Sequence, residues 1–197
     1  MLSERRVKEL SAFLKPRMSK KRYIHSVNVA YEAVKLARKY GADEDKAFIA
    51  GYLHDCAKEL DTQEQRRLAE QSEFQTEAVE LDTPPLLHSI AGAVVVRNEL
   101  GIDDRDILEA IRYHTTGAPD LPPLAQIIYL ADLISADRDY KDVKKMRKAA
   151  YESLDEAMLE ALSFAISDDV KKGSYITRTT WAAYNEYIAK NKNSKKK

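Results

Sequence analysis

Apolar residues return at every third and fourth position along most of this chain, a rhythm that suits helices and leaves little room for strands. Ile24, Val27, Ala30, Val34 and Ala37 form one such stripe, which Gly41 ends. The spacing predicts a first helix over Ser3 to Leu14, stopped by Pro16, and a third that Asp43 caps and that carries His54 and Asp55. Thr62 with Gln65 reads as a capping box for a short polar helix, and Thr83 before Pro84 opens an apolar one ending at Gly101. Asp103 begins the next. Pro122 and Pro123 start a helix through Ile127, Ile128 and Asp132; Ser153 with Glu156 opens another, ended by Gly173; a last helix carries Trp181, Tyr184 and Ile188. The expected fold is all-α, one domain over residues 1–190 followed by a Lys-rich disordered tail over 191–197.

Composition sets the boundaries of function. The 197 residues are 44% hydrophobic with six Gly and six Pro, enough for one sizeable core. No apolar run approaches the roughly 20 residues a bilayer demands, and MLSERRVKEL lacks the apolar stretch of a secretory leader, so a cytoplasmic protein without membrane contact is expected. Cys56 is the single cysteine and cannot build a disulfide framework; a small filler of the core is its plainer role. Of the 32 basic residues five are lysines of the terminal KNKNSKKK, leaving 27 against 32 acidic in the body, which argues against a nucleic-acid footprint.

The four histidines, His25, His54, His88 and His114, each fall on a different expected helix. His114 shares a stripe with Ile107, Ala110 and Ile111; His54 follows Ala47 and Gly51; Asp132 follows Ala125, Ile128 and Tyr129. Polar groups turned into a core cost roughly 2 to 7 kcal/mol each when unpartnered, so these must satisfy one another or hold something between them. Four imidazoles with Asp55 and Asp132 suit one or two transition-metal ions inside a helical bundle; a metal-free network of buried hydrogen bonds is the alternative. On a regular helix His54 and Asp55 point about 100° apart, so they share an ion only near a widened or terminal turn, unless Asp55 bridges two ions. Lys58, one turn from both, can reach the same pocket and hold a phosphate, or can lie solvated at the helix end.

The ordered blocks RYIHS, AGYLHDCAKEL, LLHSIAG, IRYHTTG, IIYLADLI and ITRTT, from Arg22 to about Tyr187, resemble the HD-domain superfamily of metal-dependent phosphohydrolases, and within it the bacterial YqeK branch of symmetrical dinucleoside tetraphosphate hydrolases. The resemblance implies an HD-type helical bundle around a buried di-iron centre, with Mn, Co or Mg as substitutes. His25, His54, Asp55 and Asp132 would hold one ion, while His88 and His114, sharing Asp55, would hold the other. It implies catalytic roles for Asp55, Lys58, His88 and His114, and substrate contacts from Lys58, Thr115, Thr116, Arg138 and Arg178. Arg178, in ITRTT, falls at a helix start, where free backbone N–H groups and a cation together suit phosphate. The expected reaction cuts diadenosine tetraphosphate into two ADP, with a small-molecule nucleotide as the partner and either a monomer or a homodimer as the assembly. Two rival readings stay open: an HD-fold di-iron oxygenase, which can use the same ligand set, and a non-catalytic nucleotide-binding regulator.

Overall fold

A computed structural model describes residues 2–194, and among them eleven α-helices and no strand. The first three helices follow local signals closely. Ser3 caps α1 (Glu4–Leu14), Ser19 caps α2 (Lys20–Tyr40), and Gly41, at φ 71°, closes α2 in the left-handed conformation that glycine adopts without strain. Asp43 caps α3 (Glu44–Leu53), accepting from the N–H groups of Asp45 and Lys46. α3 stops one residue before His54, so the expected continuation through His54 and Asp55 does not occur; residues 54–59 form a run of turns instead.

Asp61, not Thr62, caps α4 (Thr62–Ala69), and the Gln65 amide that was expected to complete a capping box turns back to the carbonyls of Lys58 and Leu60. A single turn, α5 (Ala78–Leu81), precedes α6 (Pro84–Leu100). Asp104 rather than Asp103 caps α7 (Arg105–Tyr113), and α8 (Pro123–Ile134) starts from the proline pair. α9 (Val143–Glu152) has no counterpart in the expected pattern: Asp142, at φ 75°, precedes it, and no side chain caps its start. Ser153 caps α10 (Leu154–Lys172). α11 spans Arg178–Ser194, so residues 191–194 are helical where a disordered tail was expected, and 195–197 lie outside the described residues.

α2, α3, α6, α7 and α8 surround the site, with α9, α10 and α11 packed beyond α8. Two stripes are rotated from their expected faces. On α2 the buried apolar residues are Val29, Ala30, Ala33, Leu36 and Ala37, while Ile24 is exposed; on α11 they are Ala183 and Tyr187, while Trp181 is exposed. On α2 the reason is the site itself, since the inward direction that Ile24 would share is taken by His25 and Ser26. Gly51 sets the separation of α2 and α3: a Cβ there would meet the Ala30 Cα at 3.0 Å and the Val29 carbonyl at 3.2 Å. Cys56 is buried, and burial pushes its thiol up to about 12. Among the described residues no helix is long and apolar enough to cross a membrane.

Candidate metal centre

His25 comes from the second turn of α2, His88 from α6 and Asp132 from α8, whereas His54 and His114 stand one residue past the ends of α3 and α7. Those two positions correct the expectation that every histidine lies within a helix. At a helix end the last carbonyls have no intrahelical partner, and the imidazoles use them: His54 Nδ1 lies 2.7 Å from the Gly51 carbonyl and His114 Nδ1 2.7 Å from that of Ile111. A carbonyl only accepts, so each Nδ1 carries a proton and Nε2 is the ring atom turned to the cluster. Asp137 does the same for His25, with its carboxylate 2.8 Å from Nδ1 and steadied by the Asn28 amide at 3.0 Å. Outer partners of this kind fix the tautomer and orientation of metal-binding histidines.

The four rings form one chain, with centroids 5.3 Å apart from His25 to His54, 4.9 Å from His54 to His114 and 5.1 Å from His114 to His88. Their Nε2 atoms converge on the two carboxylates. His25 Nε2 is 2.9 Å from Asp132 Oδ1, and His54 Nε2 is 3.4 Å from Asp55 Oδ2. The other Asp55 oxygen, Oδ1, lies 3.2 Å from His88 Nε2 and 3.7 Å from His114 Nε2, and those two nitrogens are 3.2 Å apart. Asp55 thus turns one oxygen to each half of the cluster.

The donor set fits a metal. Among the described residues the buried Nε2 atoms of His25 and His54 have no hydrogen-bond partner, although each faces carboxylate oxygens. Atoms around a cation with bonds of about 2.0 to 2.2 Å sit roughly 2.9 to 3.5 Å apart, the range of most of these separations. Three overlapping groups, His25 with His54 and Asp55, His54 with His114 and Asp132, and Asp55 with His88 and His114, each bring ligand atoms within 4.8 Å of one another. A buried imidazole and carboxylate set of this kind favours a divalent metal.

Electrostatics polarise the cluster. Burial would raise the Asp55 pKa, but the surrounding histidines outweigh it and hold the carboxyl well below its ordinary range. For Asp132 the same opposition is won by His25, His54 and Arg138, and its pKa is lowered. Burial disfavours a charged His54, yet the Asp55 and Asp132 carboxylates prevail and raise it, whereas for His88 burial wins and pushes it down to about 4.

Of the expected substrate-contacting residues, two join the centre. The Lys58 ammonium, its pKa lowered by burial, lies 3.0 and 3.2 Å from the two ring nitrogens of His88. Arg138 reaches Asp132 twice, through the side-chain carboxylate and, at 2.8 Å, through the backbone carbonyl. Thr115 hydrogen-bonds Ser89 at 3.0 Å, and the buried Thr116 hydroxyl has no partner among the described residues. Arg178 makes no contact with the cluster. Its helix start is closed as well: the Glu77 carboxylate accepts from the N–H groups of Arg178 (3.0 Å) and Thr179 (2.8 Å), so the free amides expected there for phosphate are occupied. Sequence reading missed two contributors. Arg22, whose guanidinium is 2.8 Å from Asp55 Oδ2, stands one turn before His25 and could have been found by that spacing. Asp137 sits in a turn 112 positions from His25, and no local pattern marks it.

Comparison with known proteins agrees with this geometry. Residues 22–137 match the model of the HD domain family, a span that includes all six clustered ligands. The symmetrical bis(5'-nucleosyl)-tetraphosphatase of Halalkalibacterium halodurans is 39% identical over 91% of this chain and 95% of its own length. That of Bacillus subtilis is 35% identical over 92% and 97%. A crystal structure from Clostridium acetobutylicum, described as a "predicted HD superfamily hydrolase involved in NAD metabolism", superposes with a TM-score of 0.89 at 36% identity, over 96% of this chain and 99% of that one. With its HD pair held at a helix end between three further histidines and a distant aspartate, the chain belongs to the HD domain family.

Proposed function

We propose that this protein is a metal-dependent phosphohydrolase that cleaves dinucleoside tetraphosphates at the central anhydride, so that diadenosine tetraphosphate and water give two ADP. The observation that carries this reading is the convergence of four Nε2 atoms and two carboxylates, bordered by the cations Lys58, Arg22 and Arg138. The relatives named symmetrical bis(5'-nucleosyl)-tetraphosphatase support the substrate class and the position of the cut.

In this reading His25, His54, Asp55 and Asp132 would hold one divalent cation, and His88 and His114, with Asp55, would hold a second. Iron is the proposed metal, since imidazole-rich sites suit it, with Mn, Co or Mg as substitutes. When bound, such a pair activates water for attack and neutralises phosphate charge. The chain's own residues do the rest. Asp137 and the Gly51 and Ile111 carbonyls keep His25, His54 and His114 in the binding tautomer. Lys58, packed against His88, offers its ammonium to a phosphate oxygen, and the guanidiniums of Arg22 and Arg138 are placed to exchange a carboxylate contact for a phosphate one. Thr115 can donate to the same phosphates from beside His114. This concentration of cations favours a polyanionic substrate over the oxygenase reading. A cytoplasmic enzyme working on the soluble nucleotide pool, as monomer or homodimer, is the proposed setting.

The test is product identification alongside metal analysis. Incubation with diadenosine tetraphosphate should yield ADP alone, with activity lost on chelation and restored by iron. ATP with AMP as products, or full activity in protein stripped of metal, would refute the proposal.

A further inference from the structure

The aspartate that orients His25 is itself held from a distance. Asp137 lies in the segment ISADRDY between α8 and α9, in a turn that the Arg138 N–H closes on the Ser135 carbonyl at 3.0 Å. Ala136 and Asp137, the two central residues, face solvent. Surface turns are the least rigid parts of a fold unless other elements hold them. Arg147, in the second turn of α9, holds this one. Its Nε donates to the Ile134 carbonyl at 2.9 Å, and its Nη2 to the carbonyls of Ser135 at 2.8 Å and Arg138 at 3.0 Å. The Ile134 bond satisfies a carbonyl that the end of α8 leaves without an intrahelical partner. The Nη2 bonds go further, because one nitrogen grips the turn on both sides of Asp137.

Two ligands of the cluster depend on that turn. Asp137 meets His25 Nδ1 at 2.8 Å, while Arg138 donates from Nε to the Asp132 backbone carbonyl at 2.8 Å and reaches the Asp132 carboxylate. His25 Nε2 and Asp132 Oδ1 are 2.9 Å apart, so a shift of the turn would disturb the partners of both. α9 is in turn tied to the helix that carries His25. The Tyr40 hydroxyl donates to the Ala150 carbonyl and the Tyr151 hydroxyl to the Glu32 carboxylate, each at 2.8 Å. His25, Asn28 and Glu32 are spaced three and four apart, along one row of α2. That row meets Asp137 at one end, through His25 and the Asn28 amide, and α9 at the other. Arg147 closes the ring between them.

We propose that Arg147 is a positioning residue for the metal centre: by pinning both sides of the turn it holds Asp137 on His25 and Arg138 on Asp132. The inference rests on the metal-dependent function proposed above. Among the described residues Arg147 makes no hydrogen bond or ion pair with the six ligands, so it acts through the turn alone. Arginine suits the task because its planar fork sets Nε and Nη2 in a fixed relation, whereas the single ammonium of a lysine cannot meet the same carbonyls in that geometry.

The experiment is titration of apo-protein with Co(II) against a competing chelator, followed by absorbance, with the melting temperature of each protein measured beside it. The proteins are the wild type, Arg147→Ala, Arg147→Lys, Asp137→Ala, the double variant of Asp137→Ala with Arg147→Ala, and Tyr151→Phe. Tyr151→Phe loosens α9 from α2 and leaves the guanidinium in place, so it reports a purely structural loss. Arg147→Ala should weaken Co(II) binding about tenfold, the lower end usual for outer partners of metal ligands. Arg147→Lys should show a smaller loss, and it carries the comparison if the alanine variant does not fold. Since Arg147 acts largely through Asp137, the double variant should bind only slightly less tightly than the weaker single one, whereas independent effects would multiply to about a hundredfold. Tyr151→Phe should lower the melting temperature and leave Co(II) affinity and spectrum unchanged. Wild-type affinity in the Arg147 variants, multiplied losses in the double variant, or an equal loss of affinity in Tyr151→Phe would each overturn the proposal. A wild type that takes up no Co(II) would refute the metal centre itself, and this inference with it.

Discussion

Asp137→Ala should weaken metal binding about tenfold while leaving the fold intact. Asp137 holds His25 through a 2.8 Å contact at Nδ1 and is itself held by Asn28 at 3.0 Å, in a turn whose Ser135 and Arg138 carbonyls accept from Arg147 of α9. A charge-assisted hydrogen bond contributes about 1.5 to 3 kcal/mol when shielded from water. The Asp137 side chain is 33% exposed, so solvent screening reduces that to about 1 to 1.5 kcal/mol, a factor of roughly ten in affinity. This is the lower end of the ten- to hundredfold effect usual for outer partners of metal-binding histidines. Asp137→Asn keeps an acceptor but loses the charge, and should lie between the two. The contrast with His54 and His114 is useful, because their Nδ1 atoms rest on backbone carbonyls that no substitution removes. The assay is chelator competition against apo-protein titrated with Co(II), followed by absorbance, with circular dichroism as the fold control and His25→Ala as the control for loss of a ligand. An affinity for Asp137→Ala equal to that of the wild type, with His25→Ala strongly weakened, would show that His25 needs no outer carboxylate.

Other substitutions test other parts of the argument. Asp55→Ala removes the side chain that turns one carboxylate oxygen to each half of the cluster, and should abolish turnover and lower metal content together; normal occupancy by elemental analysis would break the bridging assignment. Arg112→Ala leaves the buried Glu80 charge without its partner and should cost about 3 to 5 kcal/mol in urea unfolding. Gly51→Ala forces a Cβ against the Ala30 backbone and displaces the carbonyl that orients His54, so it should lower both the melting temperature and metal affinity. His88 is held neutral by burial, with its pKa pushed down to about 4, so it contributes stability that is present above its unfolded value of about 6.5 and lost as pH falls through 4; apo-protein carrying His88→Gln should therefore show a shallower loss of melting temperature between those pH values.

The sequence by itself determined the helical class, most helix ends and the inventory of ligands. Each of these rests on interactions a few residues apart: Asp43 capping the amides just after it, Gly41 closing α2, and His54, His114 and Asp132 at apolar spacing. Even the choice at His54 and Asp55 between a widened or terminal turn and a bridge of two ions by Asp55 could be stated from helical geometry, although not which of them the fold would take. The tertiary structure decided the rest, because the deciding partners are remote in sequence. Asp137 meets His25 across 112 positions, and Glu77 takes the amides of Arg178 and Thr179 across 101 and 102. The second case reversed a local expectation, since a helix start that reads as open to phosphate is already satisfied by a carboxylate from α5. Arg112 and Glu80 look like surface charges when read alone and become a buried strut only when α5 packs on α7. A periodic pattern reports which way a side chain points; what stands opposite is chosen by the packing of other helices, and here that choice made the cluster of four histidines and two aspartates.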